Sequence, residues 1–331
     1  MSHDVHAGTW RAMGCSVEVV VVGGRPELLD LAKSSIDHHE RHWSRFLPDS
    51  DISRLNHAAG STVHIDPATV VLLQAMIDGW RATTGAFDPT LLAPLVGLGY
   101  AASWDDPEAV TSLPYGALWR ADLDQLVIDR DRCVATAPGG MCLDAGGIGK
   151  GLAADLVVGY LVDAGAHGAS VSIGGDLAVR GRAPQDDGWI IGIADPMFPA
   201  DTDVEDGQLM MVEGGVATSG TMRRRWRGDD GDSIHHLLDP TSGRPVHHAR
   251  ELVAVTVVAG TAAWAEVWTK ALMVRGVATL EVLDELGLGG RATYADATTS
   301  TNRTWLAFAS PEGSGEQRGD LPGDEVEMVE V

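Results

Sequence analysis

The chain has 331 residues, 44% apolar and 21% charged, a composition that suits one large globular domain or two small ones. A formal net charge of −23 argues against a nucleic-acid partner, because phosphate binding draws on Lys and Arg. No apolar run reaches the roughly 18 residues of a membrane span, and residues 1–10 lack the basic start and apolar core of a secretory signal. The expectation is a cytoplasmic protein without membrane insertion. Cys15, Cys133 and Cys142 are odd in number and lack metal-like spacing, which fits reduced thiols. Only three of the 24 basic residues are lysines: Lys33, Lys150 and Lys270.

Residues 15–22 alternate and are β-branched, which predicts a strand that opens the fold. Pro26 starts a helix in which Leu28, Leu29, Ala32, Ile36, His39, Trp43 and Phe46 recur at helical spacing. Asp66-Pro67 reads as an N-cap with proline at the first helical position, and Gly85 ends that helix after about residue 83. Residues 101–125 are irregular, with short strands near 126–128 and 133–135. A helix over 148–164 leaves directly from a glycine-rich turn. Strands follow near 169–173, 177–180, 189–194, 209–217 and 252–259. A last helix begins near Thr261, breaks at Gly276 and continues to about Leu286. The elements do not alternate strictly, so the fold class is α+β rather than a doubly wound parallel sheet. The acidic end, 311–331, has seven acids and one Arg and is expected to be disordered.

Five segments could carry chemistry. In Leu143-Asp-Ala-Gly-Gly-Ile-Gly-Lys-Gly151, four glycines permit close backbone approach and the helix start offers N–H groups to an anion. Taken alone it is equally a tight strand-to-helix turn; it lacks the Walker spacing and the acidic residue of a dinucleotide fingerprint. Ser172-Ile-Gly-Gly-Asp176 and Thr218-Ser-Gly220 read singly as ordinary turns. His236, in the run from His235 to Pro245, is either a solvated loop histidine or a general base. A zinc site from His235, His236, His247 and His248 is poor, since adjacent histidines do not easily share one metal. Glu266 and Lys270, four apart, are either a common helix-surface pair or, given neighbours Ala262, Ala263, Ala265, Val267 and Ala271, a buried one.

Taken in order, these segments resemble the FAD:protein FMN transferases, the ApbE family. The likeness rests on Ala12-Met-Gly14, Gly85-Ala-Phe-Asp-Pro89, the loop from Leu143 to Gly151, Gly174-Gly-Asp176, Ala217-Thr-Ser-Gly220, His236-Leu-Leu-Asp-Pro240 and Thr261-Ala262. It implies a transferase domain over about 8–310, with a mostly antiparallel sheet and packed helices around a flavin cleft. It further implies that FMN moves from FAD to a Ser or Thr hydroxyl of a target protein with release of AMP. Met13, Ala86, Phe87, Asp88, Asp144, Lys150 and Leu238 match positions that touch FAD, and His236 matches the proposed base. The alternatives are an FAD pyrophosphatase and a plain FAD-binding protein.

The resemblance also implies Mg²⁺, held by a carbonyl matching Gly147 and by the last helix. There the chain departs from the pattern: Glu266 stands for an Asp, Lys270 for a Thr, and Thr269 where some members carry a second Asp. A charged ammonium cannot ligate a metal. The expectation is that Lys270, held by Glu266, replaces Mg²⁺ as the charge on the pyrophosphate. Cys15, Ser172, Thr221 and Met222 are milder departures along the expected cleft.

Overall fold

The computed structural model describes residues 4–309, apart from 186–187, 199–201, 203, 229–230 and 249; the acidic end from 311 lies outside the described residues. An eight-stranded sheet runs in chain order through Val5–Ala12, Cys15–Val22, Gly168–Ile173, Asp176–Gly181, Gly214–Gly220, Leu252–Ala259, Gly289–Tyr294 and Thr299–Thr301. Every neighbouring pair is antiparallel. The expected α+β architecture is therefore what the chain adopts.

One face of the sheet carries helices. Val17, Val19 and Val21 point into the same core as Ile36 of helix Leu28–Trp43 and Val157 and Leu161 of helix Gly149–Asp163. The other face packs on the hairpin Trp189–Ala194/Glu205–Met211 through Val22, Val179, Ile191 and Leu209. The period of two in the strand sorts these sets. Leu252–Ala259 is buried at all eight positions because both of its faces are covered, which is why it reads as an unbroken apolar run.

Most helix starts follow their sequence signals. Asp66 caps Pro67–Ala82 by accepting from the Ala68 N–H at 2.8 Å. Thr261 caps Ala262–Arg275, and Gly276, with φ +76°, ends it before Thr279–Glu285. Three expectations change. The sheet opens at Val5, not Cys15; Val5–Ala12 is an edge strand with mostly wetted side chains and so lacks an apolar alternation. The stretch 209–217 is two strands in different sheets, separated at Gly214 (φ +130°), where an added Cβ would sit 2.6 Å from the Ala259 carbonyl oxygen. The first long helix ends at Trp43, so Phe46 lies beyond it, and a short helix, Asp51–His57, follows behind its Ser50 cap.

Helices Gly149–Asp163 and Ala262–Arg275 are locked together. The Asp155 carboxylate accepts from the Ala262 and Ala263 N–H groups, both at 2.8 Å, although burial pushes its pKa up to about 6. Gly151 lets the backbones touch, since a Cβ there would lie 2.5 Å from the Ala262 carbonyl oxygen. Gly151→Ala should therefore cost about 1–3 kcal/mol through overpacking, even against alanine's higher helix propensity. Urea unfolding measures it; an unchanged midpoint would show that the contact can relax.

Candidate active site

A cleft of about 450 Å³ opens beside the glycine-rich turn, within the range of small-molecule sites. Its floor is built by local chemistry. The Asp144 side chain accepts from the Gly146 N–H at 3.0 Å and caps the 3-10 turn Ala145–Gly147, from which helix Gly149–Asp163 departs. Leu143 is fixed on both sides by Asn56, which donates to its carbonyl at 2.9 Å and accepts from its N–H at 2.7 Å. The Asp144 N–H donates to the Pro89 carbonyl at 2.9 Å, tying this turn to the Gly85–Pro89 segment.

Met13, Ala86, Phe87, Asp88, Asp144, Gly147, Lys150, His236, Leu238 and Lys270 all line this one cleft, whereas Glu266 and Thr269 stand behind it. Met13 sits with Gly14 in the two-residue turn of the first hairpin, both at positive φ (52° and 70°). An ordinary side chain is thereby held in the left-handed region at the cleft mouth. Asp88 lines the cleft and also organises its own loop. Its carboxylate accepts from Arg120 Nε at 2.8 Å and from Thr90 N–H and Oγ at 2.9 and 2.7 Å, so it shapes the loop.

The charged centre lies where Lys150 and Lys270 meet Glu266. Glu266 is fully buried; its Oε1 lies 3.1 Å from Lys150 Nζ and 3.5 Å from Lys270 Nζ, and its Oε2 accepts from the Gly151 N–H at 2.8 Å. Lys150 also pairs with Asp176, which follows the hairpin turn Gly174-Gly175. Burial drives the Glu266 carboxyl up, yet Lys150, Lys270 and the Gly151 N–H together hold it below its ordinary range. Burial lowers both lysine pKa values, helped by the Arg224 charge and opposed by Glu266. One N–H of the helix start is thus committed to Glu266 rather than open to an anion.

These groups do not form a hard-cation site. Both Glu266 oxygens are occupied, and the Thr269 hydroxyl donates to the Glu266 carbonyl at 2.6 Å while meeting Ser219 Oγ at 2.7 Å. Lys270 Cε would lie 3.6 Å from a Cβ at Gly147, so its stem fills the space between the last helix and the turn. Mg²⁺ requires oxygens in near-octahedral array; of the ligands implied for it, Glu266 and Thr269 instead face the Lys270 ammonium, at 3.5 and 3.4 Å. The expected Glu266–Lys270 pairing is present, with Lys150 as a third member.

Arg224 also lines the cleft, at φ 52°; the run of arginines at 223–225 has no periodicity to single it out. Burial lowers the His236 pKa well below the ordinary 6.5, and Arg224, Lys270, His235 and Lys150 add to the shift. Its Nδ1 is buried without a partner in the described structure. The other histidines diverge: His235 donates to the Val246 carbonyl and His248 to the Met273 carbonyl.

An eight-stranded antiparallel sheet with Lys150, Lys270 and Arg224 gathered at a glycine-rich helix start suits a phosphate-bearing ligand. The chain belongs to the ApbE family, whose model matches residues 13–290. It is 31% identical over 316 residues to an FAD:protein FMN transferase of Klebsiella pneumoniae, covering 90% of this chain and 86% of that one. The Escherichia coli K12 protein of the same name is 28% identical over 276 residues, covering 81% and 75%. The apo flavinyl transferase ApbE of Pseudomonas stutzeri superposes with a TM-score of 0.75 at 27% identity, over 93% of this chain and 98% of that one. The ApbE protein of Thermotoga maritima shares the fold, with a TM-score of 0.78 at 24% identity, over 93% and 100%.

Proposed function

We propose that this chain is an FAD:protein FMN transferase in which fixed side-chain cations take the place of Mg²⁺. The observation that carries the reading is the convergence of Lys150, Lys270 and Arg224 on the cleft that also holds His236. Lys150, Lys270 and Arg224 against Glu266 and Asp176 leave a surplus of one positive charge, with both carboxylates buried. That arrangement presents ammonium and guanidinium groups to a pyrophosphate and screens the carboxylates from it.

In this reading the acceptor Ser or Thr hydroxyl gives its proton to His236. Its oxygen forms a bond to the FMN phosphorus, the bridging P–O bond breaks, and AMP leaves with the electron pair. Lys150, Lys270 and Arg224 offset charge on the non-bridging and leaving oxygens. The acceptor is a protein supplied from outside this chain. Cytoplasmic action fits the three unpaired thiols, and no helix among the described residues is long and apolar enough to cross a membrane.

Incubating the protein with FAD and an acceptor peptide tests the reading. AMP together with covalent flavin on the peptide supports it. AMP with free FMN makes the chain a pyrophosphatase, and intact FAD makes it a flavin-binding protein.

His236 adds a pH signature. A histidine with a lowered folded pKa stays neutral as pH falls through the ordinary 6.5, so the base remains available there. We expect kcat/KM for AMP release to stay flat from pH 8 through 6.5 and to fall only below. His236→Ala should lose about 10²–10⁴-fold in rate. An acid midpoint at or above 6.5 in the wild type would remove His236 from this role.

A further inference from the structure

Helix Leu28–Trp43 carries three histidines, His38, His39 and His42, that the cleft chemistry does not use. His38 and His42 lie one turn apart on the same face, with ring centroids 4.6 Å apart. His39 stacks instead on Trp43, at 4.5 Å between centroids. Facing the pair is Asp66, the cap of helix Pro67–Ala82. Its Oδ1 is spent on the Ala68 N–H, and its Oδ2 lies 3.1 Å from His38 Nε2 and 3.8 Å from His42 Nε2. A tetrahedral ion with bonds of about 2.0–2.1 Å sets its ligand atoms about 3.3 Å apart, and the observed separations bracket that edge.

The second observation is how His42 is held. Its Nδ1 lies 3.0 Å from Oδ2 of Asp51, a buried carboxylate. The same oxygen accepts from the Asp66 N–H at 2.8 Å and the Thr69 hydroxyl at 2.7 Å, and the other pairs with Arg54. A carboxylate so surrounded only accepts, so His42 Nδ1 is the donor. With Nδ1 committed to Asp51, Nε2 is the His42 atom turned toward Asp66 Oδ2. Orientation of a ligating histidine by an outer carboxylate is the usual support of a metal site. The three ligand atoms lie within 4.8 Å of one another.

We propose that His38 Nε2, His42 Nε2 and Asp66 Oδ2 form a site for a divalent transition ion of the zinc class. Water takes the fourth position from a shallow pocket beside Ser34, Ser35 and Tyr160. Two imidazoles favour such an ion over Mg²⁺, which takes oxygen ligands. The ion clamps helix Leu28–Trp43 to the start of helix Pro67–Ala82. The first helix also presents Glu40 and Trp43 to the cleft, so the clamp braces one cleft wall from behind.

The experiment is calorimetric titration of tag-free, chelator-stripped protein with ZnCl₂, in the presence and absence of excess MgCl₂. One equivalent should bind despite the magnesium and raise the thermal midpoint. His38→Gln, His42→Ala and Asp66→Asn should each weaken binding by more than about tenfold, at least the cost of losing an outer-shell partner. Asn retains the helix cap, and His38 is partly exposed, so two of the variants preserve the fold. Absence of stoichiometric zinc uptake overturns the proposal, as does uptake that survives both His38→Gln and Asp66→Asn.

Discussion

AMP release from FAD should survive EDTA within about two-fold, a change of about 0.4 kcal/mol in barrier, and Lys270→Thr should make it depend on magnesium. The wild-type cluster places Lys150 and Lys270 on one Glu266 oxygen and the Gly151 N–H on the other. A chelator therefore has no ligand set to strip. Replacing Lys270 with Thr removes a cation from the cleft and returns a hydroxyl to the last helix. In EDTA this variant should lose about 10²–10³-fold, the scale of deleting one preorganised charge-stabilising group, and millimolar magnesium should restore part of it. Magnesium that co-purifies stoichiometrically with the wild type, or activity abolished by EDTA and regained with Mg²⁺, would reject a metal-free cluster. The comparison is most direct with AMP measured by chromatography, because covalent flavin also requires the acceptor.

The parts of this site that were legible in the sequence are those set by local backbone need. Gly174-Gly175 announces a tight turn, and both residues adopt positive φ. Asp66-Pro67 announces a helix start because cap and fixed φ act within one turn. The loop from Leu143 to Gly151 announces itself by glycine, and Gly151 proves necessary because Ala262 lies against it. What was not legible depends on residues far apart in the chain. The sequence does not show that Asp88 pairs with Arg120, 32 residues away. Asp176 reads as the end of a hairpin turn, yet it is the partner of Lys150. Arg224 sits in an arginine run with no period, and only the path of the chain after Gly220 brings it to the cleft. The edge strand Val5–Ala12 and the break at Gly214 escape for a related reason. Sheet position decides which strand faces are wet, and periodicity alone does not reveal it.

Glu266→Gln is expected to be the most destabilising single change in the centre, by about 3–5 kcal/mol, the usual cost of breaking a buried ion pair from one side. The carboxylate is fully buried between two lysine side chains that are only 16% and 17% exposed. Neutralising it leaves two ammonium groups close together, with Asp176 reaching Lys150 alone. A glutamine of nearly the same shape retains an acceptor for the Gly151 N–H, so the loss reports charge more than packing. The pH dependence gives an independent reading. Glu266 has a folded pKa below its ordinary 4.5, so its ionised form stabilises the fold at higher pH, and that contribution is lost as pH falls from about 4.5 through the folded value. Urea midpoints for wild type and Glu266→Gln should therefore differ most at neutral pH and converge as the solution is acidified. Equal midpoints at pH 7 would mean that Lys150 and Lys270 do not depend on this carboxylate. If the midpoints separate while AMP release stays unchanged, Glu266 holds the fold and is not needed to place Lys150 and Lys270 for the reaction.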